Sequence, residues 1–248
     1  MFDHVTIRVA DRAASERFYK TVFTPLGIET SYRTNAFTEW QDFSLTESDA
    51  DHAVTRGLHI GFAAPSIEQV DDFWESGTGA GYADDGAPGP RTQYRRDYYG
   101  AFLRDPDGNS MEAVHHGDLR RGGIIDHLWL RVADVAAARA FYLAIAPFAG
   151  YSIGRDDPDR VSFVAPGGGS FTLVSGPSPS ANVHLAFGTT SDDDVRGFHA
   201  AGTAAEAGGR SGGEPGERPQ YHPGYFAAYV LDPDGNNIEV VNHHRDAG

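Results

Sequence analysis

The sequence has no cysteine among its 248 residues. This absence excludes disulfide bonds, cysteine-ligated zinc and thiol nucleophiles. The chain also lacks an uncharged apolar run of about 18 residues, so no transmembrane helix is predicted. Its first residues, MFDHVTIRVADR, do not have the basic and apolar segments of a signal peptide. We therefore expect a cytoplasmic protein that has no membrane partner.

Basic residues are scarce relative to acidic ones, with 20 Lys and Arg against 35 Asp and Glu and a formal net charge of −15. Nucleic acids attract basic surfaces, so a nucleic-acid partner is not expected. An apolar content of 40% is sufficient for a buried core. A small-molecule substrate is the expected partner, with a homodimer as a possible assembly.

The two halves of the sequence repeat each other. The first match joins Asp3–Gly27, DHVTIRVADRAASERFYKTVFTPLG, to Asp126–Gly150, DHLWLRVADVAAARAFYLAIAPFAG. A later match joins Arg91–His116 to Arg218–His244, and the offset drifts only from 123 to 127 residues. The repeat predicts two homologous domains joined by a short polar linker, with these bounds: 1–118, 119–123 and 124–248.

Each half divides again into two units of one kind. In every unit an alternating strand precedes a helix, and the predicted helix N-caps are Asp11, Ser66, Asp134 and Ser191. Further short strands follow, so the pattern is βαβββ four times. Two Gly/Pro-rich stretches, 77–90 and 207–219, are predicted to be plain loops, with lids over a binding site as the alternative.

Histidines and glutamates fall on one face of the predicted strands. Because side chains alternate along a strand, Val5, Ile7 and Val9 face the core and His4 faces the other way. The same alternation applies to five more polar side chains: His59, Glu112, His127, His184 and Glu239. A hydrogen-bonded core histidine is the alternative for any one of them, but they avoid the apolar face in both repeats.

Two imidazoles and one carboxylate on a common face can hold a metal and leave coordination positions open. The sequence therefore predicts one metal site in each half. Modules that close within each half, which the short linker allows, give one set of His4, His59 and Glu112 and another of His127, His184 and Glu239. The alternative is an exchange between halves that joins His4 to His184 and Glu239.

These residues, in paired modules ending DPDGN-x-x-E, resemble the vicinal oxygen chelate superfamily, which includes glyoxalase I, bleomycin-resistance proteins and extradiol ring-cleaving dioxygenases. The resemblance covers almost the whole chain. It implies an α+β fold of two tandem domains, in which two βαβββ modules form a curved mixed sheet, or cup, with helices on its convex face. It also implies a divalent metal, but it does not choose the reaction.

Glyoxalase-type sites add a last-strand Glu from the other module. The segments Trp40–Ser48 and Ser170–Pro177 offer no clear match, and Asp42 and Glu47 are weak candidates. Ring-cleaving dioxygenases fit the three-ligand set better. Their His, Tyr and P-x-G order before the Glu is similar to HPGYFAAYVLDPDGNNIE, which starts at His222.

The dioxygenase resemblance implies Fe(II), with Mn, Ni or Zn as alternatives. It also implies His222 as acid/base and Tyr229 as a hydrogen-bonding group, against a simple loop histidine and a packed aromatic. Ala228 and Gln220 depart from the pattern, and the first half has Arg95 and Phe102 instead of the His and Tyr.

Three further residues on the polar face are predicted to bind substrate: Arg8, Arg131 and Trp129. Inward arginines favour an acidic substrate, with salt bridges at the edge of the cup as the alternative. His116 and His243 continue the face that carries the Glu residues.

Three functions remain open. The best specific prediction is an Fe(II) extradiol-type ring-cleaving dioxygenase. The alternatives are a glyoxalase-type lyase or isomerase, or a metal-free binding protein of the bleomycin-resistance kind. The metal-free protein would have cups lined by aromatic residues: Trp40, Trp129, Tyr98 and Tyr225.

Overall fold

Four βαβββ modules follow one another in the computed structural model, which describes residues 1–245. Module 1 contains β1 (Phe2–Val9), α1 (Arg12–Phe23), β2 (Tyr32–Arg33), β3 (Phe37–Trp40) and β4 (Phe43–Glu47). Module 2 contains β5 (His59–Ala63), α2 (Ile67–Gly79), β6 (Asp84–Pro90), β7 (Tyr99–Arg104) and β8 (Ser110–His115). Module 3 contains β9 (Ile125–Val132), α3 (Val135–Ala149), β10 (Ser152–Asp157), β11 (Arg160–Val164) and β12 (Ser170–Ser175). Module 4 contains β13 (His184–Thr189), α4 (Asp192–Gly202), β14 (Arg210–Glu217), β15 (Phe226–Leu231) and β16 (Asn237–Asn242).

The helices begin where the sequence predicts. Each N-cap side chain accepts a hydrogen bond from a backbone N–H in the first turn of its helix, and the caps are Asp11, Ser66, Asp134 and Ser191. None of the helices within residues 1–245 has the length and apolarity needed to cross a membrane. The predicted α+β class is confirmed.

Two eight-stranded mixed sheets hold the strands. One has the order β14-β15-β16-β13-β1-β4-β3-β2 and the other β10-β11-β12-β9-β5-β8-β7-β6. Strands β1 and β13 pair antiparallel at the centre of the first sheet, and β5 and β9 do so in the second. Modules 1 and 4 therefore share one sheet, and modules 2 and 3 share the other. The prediction that modules pair within each half is wrong, whereas the domain bounds themselves stay a prediction.

The connections explain this exchange. The short linker joins β8 to β9, and both strands belong to one sheet, so module 3 lies beside module 2. The chain crosses between sheets in two other segments, 48–58 and 176–183. These segments contact each other through the antiparallel bridge between Arg56 and Ala181, and the Thr55 hydroxyl donates to the Asn182 carbonyl. Each crossing thus supplies hydrogen-bond partners for the other.

The apolar faces of both sheets and the inner faces of the helices share one core. Phe62 of the second sheet lies 4.7 Å from Phe23 of α1 and 5.3 Å from Phe43 of the first sheet, between ring centroids. Modules 1 and 2 thus pack against each other although they belong to different sheets. The opposite, polar face of each sheet is left to form a cup.

The Gly/Pro-rich stretches were predicted to be loops, and this is wrong for most of their length. They contain the edge strands β6 and β14, each paired antiparallel to its neighbour with irregular register. Glycine allows close approach here, because a Cβ at Gly86 or Gly213 would press on Phe102 or Tyr229 respectively. An edge strand also tolerates proline, which cannot donate a backbone hydrogen bond.

Candidate metal centres

The sheet of modules 1 and 4 forms what we call the terminal cup. His4 on β1, His184 on β13 and Glu239 on β16 meet at its floor. The two Nε2 atoms are 3.0 Å apart, and Glu239 Oε2 lies 3.0 Å from His184 Nε2 and 3.5 Å from His4 Nε2. Three potential ligand atoms from three strands therefore face one point.

The sheet of modules 2 and 3 forms the central cup, with the same arrangement. His59 on β5, Glu112 on β8 and His127 on β9 converge there. The Nε2 atoms are 3.3 Å apart, and Glu112 Oε2 lies 3.1 Å from His59 Nε2 and 3.2 Å from His127 Nε2. The six predicted residues thus meet in two groups, but His4 and His127 have exchanged places relative to the predicted sets because the modules exchange.

Both groups fit a small divalent cation. Ligands bound at about 2.1 Å lie about 3.0 Å apart when adjacent in an octahedron and about 3.4 Å apart in a tetrahedron. The separations of 3.0 to 3.5 Å in the terminal cup and 3.1 to 3.3 Å in the central cup fall in this range. Glu112 and Glu239 are each only 1% exposed and have no Lys or Arg partner within residues 1–245. A buried carboxylate is costly without a positive partner, and either a protonated imidazole or a bound cation would supply one.

An aspartate orients one histidine of each pair. Asp3 accepts from His4 Nδ1 at 2.8 Å, and Asp126 accepts from His127 Nδ1 at 3.0 Å. A hydrogen on Nδ1 leaves the Nε2 lone pair free to face the centre of the cup. The sequence carries a signal for this contact, since an Asp directly precedes the His in both repeats, although no role was predicted for Asp3 or Asp126.

The second histidine of each pair is held through a polar neighbour on the last strand. In the central cup His59 Nδ1 lies 3.1 Å from Ser110 Oγ, and Ser110 donates its own hydrogen to Asp85 at 2.7 Å. Ser110 must therefore accept from His59, which again frees Nε2. In the terminal cup Asn237 Nδ2 lies 2.8 Å from His184 Nδ1 and donates to it. His184 Nε2 is free to bind a metal when the Asn237 amide is turned so that its oxygen accepts from Nδ1 instead.

Tyrosines hold the carboxylates. Tyr225 donates to Glu239 Oε1 at 2.6 Å, and Tyr98 donates to Glu112 Oε1 at 2.8 Å. The other oxygen of each carboxylate is left facing the two imidazoles. These tyrosines were predicted only as aromatic lining, and their equivalent positions in the repeats were the signal for a shared role.

The protonation of the two groups follows from these contacts. Burial opposes a charge on His4 and His127, but the neighbouring Asp and Glu residues outweigh it and raise the pKa of both. Burial lowers the pKa of His59 and of His184. Each cup therefore pairs one imidazole that favours a proton with one that favours the neutral form.

The fourth ligand position of glyoxalase-type sites carries a hydroxyl in both cups. Glu239 pairs in register with Ala186, two positions after His184. The equivalent pair in module 1 is Thr6 with Ser44, and in module 3 it is Trp129 with Thr172. The position of a fourth carboxylate ligand is therefore occupied by Ser44 in the terminal cup and by Thr172 in the central cup.

The weak candidates for that Glu do not line either cup. Asp42 is buried between the sheets, where it forms an ion pair with Arg120 and accepts from the backbone N–H of Ile124. Glu47 is exposed at the end of β4. Asp42 therefore holds the linker against module 1.

A chain of polar contacts leads from the terminal cup to its mouth. His243 Nε2 lies 2.9 Å from Asp3 Oδ1, and His243 Nδ1 lies 2.9 Å from His222 Nε2. His222 Nδ1 in turn lies 2.8 Å from the Pro223 carbonyl. Asp3 and the carbonyl can only accept, so His243 Nε2 and His222 Nδ1 donate to them, and the inner contact joins the two rings.

Tyr229 lies on the same side of the cup, with its ring centroid 6.3 Å from that of His184. His222 and Tyr229 both line the terminal cup. The central cup lacks this arrangement: Arg95 forms ion pairs with Asp97 and Asp118, and Phe102 carries no hydroxyl. The two cups thus share their floors and differ at their mouths.

Both cups are large enough for a small molecule, about 660 Å³ for the terminal cup and about 610 Å³ for the central cup. Arg8 lines the terminal cup, and Arg131 and Trp129 line the central one. Trp40, predicted as cup lining in a metal-free protein, is instead 2% exposed and packs in the core against Phe43.

Comparisons with known proteins agree with this architecture. Residues 1–113 and 124–240 match the model of the Glyoxalase/Bleomycin resistance protein/Dioxygenase superfamily, whose metal-using members bind divalent cations. The sequence matches no curated protein. Glyoxalase I from Zea mays is similar in structure, with 19% identity, a TM-score of 0.70 and coverage of 98% of this chain and 92% of that chain. A putative dioxygenase from Bacillus subtilis subsp. subtilis str. 168 has 14% identity, a TM-score of 0.65 and coverage of 98% and 85%. These likenesses show a shared fold and do not select a reaction.

Proposed function

Because the chain belongs to the Glyoxalase/Bleomycin resistance protein/Dioxygenase superfamily, we propose that its terminal cup is a metal-dependent active site, with Fe(II)-dependent extradiol cleavage of a catechol ring as its reaction. One observation carries this proposal. The cup that contains His4, His184 and Glu239 is also lined by His222 and Tyr229. The central cup has an equivalent group of two His and one Glu, but it has Arg95 and Phe102 in place of His222 and Tyr229.

The residues of the terminal cup fit Fe(II) through two imidazoles and one carboxylate. When bound there, Fe(II) would supply a Lewis-acidic centre with open positions for catechol oxygens and dioxygen. Asp3 holds His4 in place by contacting its Nδ1 atom, and Tyr225 holds Glu239 in place by donating to its Oε1 atom. His4 Nε2 and Glu239 Oε2 are thus left to bind the metal. Ser44 leaves the fourth position without a competing carboxylate.

The mouth of the cup would handle protons. A catechol must lose hydroxyl protons, and His222 with His243 forms an imidazole pair beside the space that the substrate would occupy. The Tyr229 hydroxyl would donate to a substrate oxygen. Tyr32 and Phe37 add aromatic surface to the wall, which suits a flat ring.

The test begins with the metal. Protein purified without chelator should contain iron, or should take up Fe(II) under anaerobic conditions, as measured by elemental analysis. Addition of catechol in air should then consume oxygen and give a ring-opened product seen by its absorbance. Glu239→Gln should lower the rate by about 100-fold or more, because it removes the anionic ligand.

Glu112→Gln is the matched control, because it makes the same change in the central cup. It should retain oxygen consumption while lowering the metal content. Equal loss of activity in both variants would contradict the assignment of the reaction to the terminal cup. Protein that binds no metal and consumes no oxygen would overturn the proposal and favour a metal-free binding protein.

A second candidate is a glyoxalase-type isomerase or lyase, and Glu39 favours it. Glu39 on β3 pairs in register with Ser44, one strand away from the fourth ligand position, and it lines the terminal cup. Burial raises the pKa of Glu39, and its carboxylate forms no salt bridge in the part of the chain that the structure describes. A carboxylate of this kind could serve as a base.

The two candidates differ in metal and in sensitivity to Glu39. Isomerase chemistry predicts turnover of a hemithioacetal with Ni(II) or Zn(II), and a large loss in Glu39→Gln with little change in metal content. Ring cleavage predicts that Glu39→Gln keeps most of its oxygen consumption and that His222→Gln loses it. Measurement of both reactions on both variants distinguishes them.

A further inference from the structure

The two cups differ at positions that the strand register makes equivalent. In the central cup Arg131, Val174 and Arg160 form one row across β9, β12 and β11. In the terminal cup the same row across β1, β4 and β3 consists of Arg8, Thr46 and Phe37. The central cup therefore has a second arginine at the position that is aromatic in the terminal cup.

In the next row of the wall the aromatic residue belongs to the central cup and the charged residue to the terminal cup. It consists of Trp129, Thr172 and Ser162 in the central cup. In the terminal cup it consists of Thr6, Ser44 and Glu39. The wall of the central cup thus gains a cation and an indole and lacks an acid, relative to the wall of its counterpart.

Arg160 lies close to the indole. Its guanidinium carbon is 4.3 Å from the centroid of the Trp129 ring, within the range of a cation–π contact. Trp129 is itself next to the candidate metal ligands, with its ring centroid 6.2 Å from that of His59. Arg160 is therefore half-buried over the floor of the cup rather than extended into solvent.

Arg160 and Arg131 have no acidic partner among residues 1–245, although other arginines of the cup do. Arg95 Nη2 lies 2.7 Å from Asp118 Oδ2, and Arg104 Nη2 lies 2.5 Å from Asp85 Oδ1. The Arg131 guanidinium donates only to a backbone carbonyl, that of Gly57, at 3.0 Å. Two guanidinium groups on one wall are thus left to bind an anion.

We propose that the central cup binds a planar carboxylate that carries an aromatic ring. Arg131 and Arg160 lie two strands apart, about 10 Å between Cα atoms, a separation that two arginine side chains can close around one carboxylate. Guanidinium groups bind carboxylates with two parallel hydrogen bonds. The ring would lie against Trp129, with Phe102 and Tyr94 completing an aromatic lining. Binding of this ligand to the central cup does not depend on the reaction proposed for the terminal cup.

Benzoate and benzamide test this proposal, because they have nearly the same shape and differ in charge. Metal-free protein should bind benzoate at least about tenfold more tightly than benzamide in calorimetric titrations. The indole N–H signal of Trp129, identified by its loss in Trp129→Phe, should shift on binding. Its shift would place the ligand in the central cup, because Trp40 is in the core and Trp74 is on α2.

Variants complete the test. Arg160→Gln should remove most of the preference for benzoate, and Arg160→Lys should keep part of it, because lysine retains the charge without the planar fork. Arg8→Gln, the matched change in the terminal cup, should leave the Trp129 shift unchanged. Equal binding of benzoate and benzamide, no binding of either, or an unchanged preference in Arg160→Gln would overturn the inference. Metal content and oxygen consumption of Arg160→Gln, measured in parallel, report separately on the proposed function.

Discussion

The Nε2 atoms of His4 and His184 are 3.0 Å apart, although 180 positions separate these residues in the chain. This contact exists because β1 and β13 pair at the centre of one sheet. His4 shares its half of the sequence with His59 but shares its candidate metal centre with a residue of the other half. The pairing of modules therefore determines which mutations act on the same site.

Metal stoichiometry tests that pairing. The double variant His4→Gln and His184→Gln should lose one metal per chain and keep one, because both changes fall in the terminal cup. The double variant His4→Gln and His59→Gln should lose both, because each cup loses a ligand. Metal content after dialysis gives the result, and the reverse pattern would show that the modules close within each half.

The tyrosine hydroxyls should contribute to metal affinity. Tyr225→Phe removes the hydrogen bond to Glu239 and leaves one carboxylate oxygen buried without its donor. We expect the dissociation constant of the terminal site to rise by about tenfold or more, as is typical for the loss of a group that orients a ligand. Titrations in a Glu112→Gln background isolate this site, and Tyr98→Phe is the matched change in the other cup. A Tyr225→Phe variant with unchanged affinity would contradict the prediction.

Gly61 should be required for the central centre. A Cβ on Gly61 would overlap the His127 ring, so Gly61→Ala must displace that histidine or shift β5. Overpacking of this kind costs about 1–3 kcal/mol of the free energy of unfolding. We expect one metal per chain instead of two, measured by elemental analysis, and a lower midpoint of urea unfolding.

Ala186 occupies the equivalent position beside His4 in the terminal cup. Ala186→Gly is therefore the matched control, and it should keep both metals. Retention of two tightly bound metals by Gly61→Ala would show that the strand can absorb the added methyl group.

Stability near the rim of the terminal cup should depend on pH through Glu16. Burial opposes its charge, but hydrogen bonds from Thr38, Arg33 and Arg12 outweigh burial and lower the pKa of Glu16 below its usual 4.5. The unfolded state therefore takes up the proton first as pH falls. The stabilisation is present above about pH 4.5 and is lost as pH falls through the lowered pKa.

Glu16→Gln should cost about 1 kcal/mol of the free energy of unfolding at pH 7 and less at pH 3, measured by urea denaturation. Glu29→Gln, at an exposed position without a salt bridge in the described part of the chain, is the control. A penalty for Glu16→Gln that does not change with pH would indicate a packing effect instead. Thr38 lies on β3 beside Phe37 and Glu39, so this network also positions the wall of the cup.

The six candidate ligands could be named from the sequence alone, because strand alternation is local and each of them lies on the face opposite the apolar residues of its strand. Alternation assigns a side chain to a face, but it does not say which strand lies next to it. The partner of β1 depends on how the segments 48–58 and 176–183 cross between sheets. Their mutual hydrogen bonds leave no pattern in the hydrophobicity of the sequence.

The edge strands show a second limit. Arg210–Glu217 contains three glycines and a proline, a composition that predicts a loop, yet it pairs along β15. Gly212 and Gly213 fit against Tyr229 of the neighbouring strand, a requirement that only the folded sheet imposes. The carboxylate partners Tyr98 and Tyr225 were likewise visible as aromatic residues but not as hydrogen-bond donors.

The order of the modules has a consequence for synthesis on the ribosome. The central cup is built from consecutive modules, so a nascent chain can complete it before the last quarter of the protein has been translated. The terminal cup needs the first and the last modules together, and β1 must wait with an unpaired edge until β13 emerges. A product that stops before β13 would therefore retain the arginine-lined central cup and lack the terminal cup, to which we assign the chemistry.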